Sequence, residues 1–268
     1  MMMKYDNSFI IGISQKGLDN DFVLPVKVNF SSVPHLICVA PSGSGKTYAL
    51  TYFLKQIAQK PVKLILADFK SIDFSEMSDC KNYYKHNEVG KALEIVHKEM
   101  QDRMETPSDN NIPIYLCVDE WSGYLSSIPK KEMEEYKKMM GAILMLGRGV
   151  SIFIIMVLQR ADANFITGRD NFGNALGLGN LSKESIRMLF SDEAEQIKPK
   201  PRGKGYLRID GKSITEISIP TIRNMKETKA IIKEKLINAN YGELLWLMRR
   251  HMQLLVGYHL LLEVEQRP

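Results

Sequence analysis

The first chemistry legible in this chain lies in eight residues, Ala40-Pro41-Ser42-Gly43-Ser44-Gly45-Lys46-Thr47. Two glycines allow successive backbone N–H groups to turn inward around phosphate oxygens. Lys46 supplies a cation for the outer phosphates of a triphosphate, and Thr47 a hydroxyl suited to a hard divalent cation such as Mg2+. Pro41, Ser42, Gly43, Ser44, Gly45, Lys46, Thr47 and Tyr48 are therefore the expected phosphate-contacting residues. Ala40 stands where the pattern usually has its first glycine, a departure confined to the entry of the loop. A helix opening at Thr47 would aim the positive end of its dipole at the bound anion.

A second constellation follows downstream. Ile114-Tyr115-Leu116-Cys117-Val118-Asp119-Glu120 is an apolar run ending in two carboxylates. Asp119 is placed to join Thr47 in a metal's ligand shell, and Glu120 to orient or deprotonate an attacking water. A glutamate beside the metal aspartate predicts an extra strand between the strand before the phosphate loop and the acidic strand. Ser151–Gln159 is the candidate. Gln159, closing that apolar run, would sense the γ-phosphate; alternatively it is the first solvated residue after a strand.

These side chains need a scaffold, and the apolar pattern supplies one. His35–Ala40, Val62–Asp68, Ile114–Glu120 and Ser151–Gln159 are nearly continuous apolar runs, as expected of strands buried on both faces. Helical patterns fall between them at Thr47–Gln59, Val89–Met104 and Lys131–Leu146. The alternation predicts an α/β fold with a mostly parallel central sheet flanked by helices. A small β element, Ser8–Ser14 with Phe22–Val28 around Gly17-Leu18-Asp19-Asn20, precedes this core. Lys183–Phe190 reads as a helix, and Gly205–Asp210 with Ser213–Ile219 as a hairpin across Gly211-Lys212. Ser108–Asn111 reads as an exposed loop, and Lys198–Lys204 as a stiff basic one. From Lys226 the pattern is helical, with Leu244, Leu247, Met248, His251, Leu255, Tyr258 and Leu262 near one face. The expected organisation is a β extension over 1–29, a catalytic domain over 30–225 and a helical segment over 226–268.

Composition narrows the class. The 268 residues are 44% hydrophobic and 25% charged, with a formal net charge of +5, an ordinary globular balance with a mild basic bias. Cys38, Cys80 and Cys117 are odd in number and lack metal-ligand spacing, which argues against a disulfide framework or zinc site and predicts a reducing, cytoplasmic setting. Residues 1–8 lack the apolar core of a signal peptide. The stretch Leu244–Val264 is interrupted by Arg249, Arg250 and His251, a poor membrane span. Membrane attachment would come through a partner.

Taken together, these residues resemble the FtsK/SpoIIIE family of DNA-translocating ATPases, within the wider HerA/FtsK group that includes conjugative coupling proteins. The stretch that carries the resemblance best is Gly147-Arg148-Gly149-Val150-Ser151-Ile152, the apolar strand, Gln159-Arg160, and Phe165-Ile166-Thr167-Gly168. Leu158 and Ala161 replace the threonine and proline that flank this glutamine-arginine pair in the family. Asp68-Phe69-Lys70, Glu99-Met100 with Arg103, and Gly203-Lys204-Gly205-Tyr206-Leu207 fall in the family's order. The resemblance spans about residues 30 to 222. It implies a RecA-like P-loop NTPase that uses ATP and Mg2+, acts on double-stranded DNA, and assembles as a homo-oligomeric ring of hexamer type. Catalysis would rest on Lys46, Asp119, Glu120 and Gln159, completed by Arg148 acting as an arginine finger in a neighbouring subunit's site. The other reading of Arg148 is a surface arginine at a helix C-terminus, and Arg160 is a second phosphate sensor or an ion-pair partner. The basic loop Lys198–Lys204 would line a DNA pore or stand as a solvated loop. Two other readings stay open: a genome-packaging or secretion-type motor of the same superfamily, and an ATP-binding assembly switch with slow turnover.

Overall fold

Strands with both faces buried need two apolar layers to cover them, and the chain supplies both. A computed structural model describes residues 5–237. The parallel strands are β3 (Leu36–Val39), β4 (Lys63–Asp68), β5 (Tyr83–Lys85), β6 (Ile114–Asp119), β7 (Ile152–Leu158) and β8 (Asn174–Leu178). With β1 (Ser8–Ser14), β2 (Pro25–Asn29), β9 (Lys204–Ile209) and β10 (Thr215–Ser218) they form one ten-stranded sheet. Its order is β2-β1-β10-β9-β8-β3-β7-β6-β4-β5. As the acid pair predicts, β7 lies between β3 and β6 and pairs parallel with both. The other four strands extend the sheet antiparallel from β8.

Side chains alternate across a strand, so each apolar run divides between two cores. Cys38, Leu64, Leu66, Tyr115, Cys117, Phe153, Ile155 and Val157 face Leu50, Phe53, Leu54 and Ile57 of helix α2 (Lys46–Ala58) and Ile232 and Leu236 of α7 (Met225–Ile237). On the other face, Ile37, Ile65, Leu116, Val118, Ile154 and Met156 meet Leu93 and Val96 of α3 (Val89–Glu105), Trp121 and Tyr124 of α4 (Trp121–Ser126), and Ile143 of α5 (Lys130–Leu146). Burial pushes the Cys38 thiol up to about 12 and raises Cys117 likewise, so both behave as apolar packing groups.

Some boundaries differ from the sequence expectation. The N-terminal hairpin forms, but Gly17-Leu18 belongs to a short helix α1 (Gln15–Leu18) rather than a plain turn. Strand β2 begins only at Pro25, and Phe22, Val23 and Leu24 stand exposed before it. Strands β5 and β8, helix α4 and several short 3-10 turns have no counterpart in the sequence reading. Helix α6 (Lys183–Leu189) and the β9–β10 hairpin fall where expected. The apolar face from Leu244 to Leu262 lies outside the described residues.

His35 anchors the entry to β3. It is fully buried, and its Nδ1 accepts a hydrogen bond from Ile154 N at 2.9 Å. Its carbonyl accepts from Asn174 Nδ2 at 2.9 Å, so one residue ties β3 to β7 and β8. Burial holds the imidazole neutral and drops its pKa to about 4. A depressed histidine pKa means the unfolded chain takes up the proton first, so this group's contribution disappears as pH falls from about 6.5 towards 4. The melting temperature of the wild-type chain should therefore fall more steeply across that window than that of His35→Asn, as followed by thermal melts at half-unit pH steps.

Candidate nucleotide-hydrolysis site

The site forms where the parallel strands end. After β3, Ala40 N donates to Leu158 O at 2.9 Å and fastens the loop entry to β7. Gly43 and Gly45 take φ values of +80° and +98°, which side chains disfavour, and Gly45 caps α2. Ala40 is absent from the positive-φ residues, which is why an alanine serves where the pattern usually has glycine. The loop's far side is packed tightly. A Cβ on Gly179, itself at φ +73°, would lie 2.1 Å from Ser44 Oγ.

Strand β6 delivers the acids. Asp119 pairs in register with Val157 and Asp68, and Glu120 leaves the strand at φ +59° with its N–H donated to Val157 O at 3.0 Å. A non-glycine residue in the left-handed region is uncommon and is held by its surroundings. The twist turns Glu120 back towards the phosphate loop. Lys46 Nζ lies 2.5 Å from Asp119 Oδ1 and 2.8 Å from Glu120 Oε1, and Lys70 Nζ reaches Glu120 Oε2 at 3.4 Å. Burial pushes the Asp119 carboxyl up to about 6 against the pull of Lys46. Burial also works against the Lys46 charge, but Asp119 and Glu120 outweigh it and hold the ammonium above its ordinary range.

Thr47 Oγ1 donates to Asp73 Oδ2 at 2.6 Å. Asp73 is a neighbour the sequence reading missed; it follows the loop residue Ser71, which sits at φ +51°. Asp68, buried beside Asp119, is occupied by Tyr83 Oη at 2.9 Å and Ser71 N at 2.9 Å, so it braces the strand ends. Tyr48 follows Thr47, and its hydroxyl accepts from Ile222 N. Gln159 and Arg160, at the end of β7, line two adjoining spaces. One, of about 330 Å³, is shared with Pro41, Ser42, Asn180 and Ser182. The other, an open cleft of about 1020 Å³, runs past Glu120 to Arg187 and Arg208.

Thus Lys46, Thr47, Asp119, Glu120 and Gln159 converge at one end of the sheet. Arg148 does not join them. It is exposed ahead of β7, donating Nη1 to Ser32 O at 3.2 Å, so the length of that strand, about 20 Å or more, separates it from its own site.

The site's oxygen donors, Thr47 and Asp119, fit a small hard cation that takes few protein ligands and keeps water and phosphate for the rest. The inward-wound loop at the head of α2 fits a phosphate chain. No group of three or more acidic, histidine or cysteine side chains among the described residues forms a metal cage.

No family model matches the chain. It is 25% identical over 227 residues to the FtsK domain-containing protein YdcQ of Bacillus subtilis, covering 78% of this chain and 47% of that one. The chain is a low-identity, partial-length homologue of FtsK/HerA-superfamily P-loop ATPases. It spans about half the length of that curated relative. Among solved structures, the pCW3 conjugation coupling protein TcpA with ATPγS matches at a TM-score of 0.71 with 17% identity, covering 87% of this chain and 72% of that one. The cytoplasmic domain of the Thermomonospora curvata type VII secretion ATPase EccC matches at 0.65 with 18% identity, covering 88% and 31%. These likenesses carry the fold, which is the RecA-like P-loop NTPase architecture.

The close packing at Gly179 gives a test of the loop. Gly179→Ala should weaken binding of a fluorescent ATP analogue tenfold or more, because Ser44 must move, and Gly179→Ala combined with Ser44→Gly should recover part of the affinity. Unaltered binding in the single variant would show that the loop tolerates the displacement.

Proposed function

We propose that this chain is an ATP-hydrolysing motor that drives DNA through a homo-oligomeric ring. The observation that carries the reading is the meeting of Lys46 with Asp119 and Glu120 beneath a glycine-wound loop, with Gln159, the residue after the inserted strand, beside it. Bound Mg-ATP would supply the transferable γ-phosphoryl group and much of the charge that the site must balance. Lys46 turns from the two carboxylates to the outer phosphates, which frees Glu120 to orient and deprotonate water. Thr47 and Asp119 would hold the metal, and Gln159 would donate to the γ-phosphate. Lys70 Nζ stays within 3.4 Å of Glu120 Oε2, a cation beside the carboxylate that would meet the water.

Arg148 supports the ring. A cation at the opposite end of β7 cannot serve its own loop, but a neighbouring subunit packed across the strand ends would receive it. The exposed Met145 and Leu146 beside it offer apolar area for that contact. The cargo reading rests on the sequence resemblance and on the conjugation role named for TcpA. The secretion role named for EccC is the competing one. No helix among the described residues is long and apolar enough to cross a membrane. Placement in the cytoplasm, with recruitment to a membrane by a partner protein, belongs to the same proposal.

Two measurements test it. Glu120→Gln should retain ATP binding and lose hydrolysis by 10²-fold or more, on the order of a lost general base; an equal, slow turnover in both proteins would favour an assembly switch. Arg148→Ala and Lys46→Ala should each be inactive alone and regain activity on mixing, since each brings the half-site the other lacks. Hydrolysis stimulated by double-stranded DNA supports the cargo. Stimulation by a secreted protein but not by DNA would reassign the motor to secretion.

A further inference from the structure

The segment from Lys198 to Lys204 lies against the phosphate loop rather than free in solvent. Lys200 N donates to Gly179 O at 3.2 Å, and Gly179 N to Lys204 O at 2.9 Å, which pins the segment to the end of β8. Gly203 N donates to Ser44 O at 3.0 Å, and Ile219 N donates to Gly203 O at 2.8 Å. The turn before β9 is therefore hydrogen-bonded at once to the phosphate loop and to the exit of β10. That exit continues to Ile222, whose N–H meets the Tyr48 hydroxyl on the first turn of α2. Together these contacts build a second wall along the loop, on the side away from Gln159.

Arg202 stands on this wall. Its Cγ lies 3.6 Å from the point a Cβ on Gly45 would occupy, which leaves the guanidinium within a side chain's reach of the head of α2. Gly45 is the N-cap of α2, where inward N–H groups meet the inner part of a phosphate chain. Among the nearby cations, Lys200 is engaged by Glu216 at 2.6 Å and packs over the Tyr206 ring. Arg202 is exposed, with no acidic partner among the described residues. A guanidinium is always charged and presents a fork of donors that matches phosphate oxygens.

We propose that Arg202 is a second cation of the phosphate site, supplied within the same chain, that hydrogen-bonds the α- and β-phosphates of a bound nucleoside di- or triphosphate. This assignment rests on the phosphate-loop reading. It separates two tasks: Lys46 and Gln159 answer to the γ-phosphate, whereas Arg202 grips what remains after hydrolysis. The Gly203–Ser44 bond then places the residue that holds the product next to the backbone that wraps it.

The experiment is a titration of the full chain with fluorescent ADP and ATP analogues in Mg2+ buffer, using wild type, Arg202→Ala, Arg202→Lys, Lys198→Ala and Lys46→Ala. Arg202→Ala should weaken both nucleotides by roughly tenfold or more, the loss of a charge-assisted hydrogen bond. Arg202→Lys should recover part of the loss, Lys198→Ala should match wild type, and the nucleotide-free melting temperature of Arg202→Ala should be unchanged. Wild-type affinity in Arg202→Ala, with binding lost in Lys46→Ala, overturns this assignment and leaves the phosphate loop intact. A nucleotide-free melting temperature lowered in Arg202→Ala, with no recovery by lysine, also overturns it in favour of a structural role. Failure of the wild-type chain to bind either nucleotide overturns both readings.

Discussion

One buried cation between two acids organises the chemistry of this molecule. Lys46 at the head of α2 meets Asp119 and Glu120 at the end of β6. Burying charges is costly unless each is compensated, so the register that brings β3, β7 and β6 to a common end is an electrostatic requirement as well as a packing one. The left-handed turn at Glu120 and the positive-φ glycines before Lys46 are the local backbone costs of that convergence. Under the proposed function, a phosphate chain would take the carboxylates' place as the partner of Lys46.

Around that centre, the phosphate loop is held from several directions. β7 fastens its entry through Leu158 O, β8 presses on Ser44 through Gly179, and the turn before β9 bonds to Ser44 O. Thr47 and Tyr48 are tied to Asp73 and to the exit of β10. Lys229 of α7 reaches Asp73 O at 3.1 Å and Glu76 Oε1 at 2.5 Å, so the last described helix also touches the segment that holds Thr47. The loop is a junction between elements far apart in sequence.

Much of this was legible because the governing pattern is local. A strand buried on both faces writes itself as a continuous apolar run, and β3, β4, β6 and β7 all do so. Lys46, Asp119, Glu120 and Gln159 then fall at the ends of those runs, where a parallel sheet gathers them. β8 escaped because Asn174-Ala175-Leu176-Gly177-Leu178 is short and has no β-branched residue. Its glycine is set by close approach: a Cβ there would lie 2.5 Å from Leu181 Cδ1 and 2.8 Å from Phe190. Asp73 and the position of Arg202 escaped for a different reason. Both sit in irregular segments whose paths are set by long-range hydrogen bonds, and a basic run reads the same whether solvated or folded against a phosphate loop.

The antiparallel pairing of β1 with β10 has a consequence for how the chain is made. Ile13 and Ser14 lie beside Ser218 and Ile217, partners some two hundred residues downstream. The β1–β2 hairpin is synthesised well before β9 and β10, yet its place at the edge of the sheet does not exist until they have emerged. Closing so large a loop is slow, so the core around Phe9, Ile11 and Val28 is completed only when Ile217 of β10 arrives. A segment made early in this domain is thus among the last to reach its final place in the sheet.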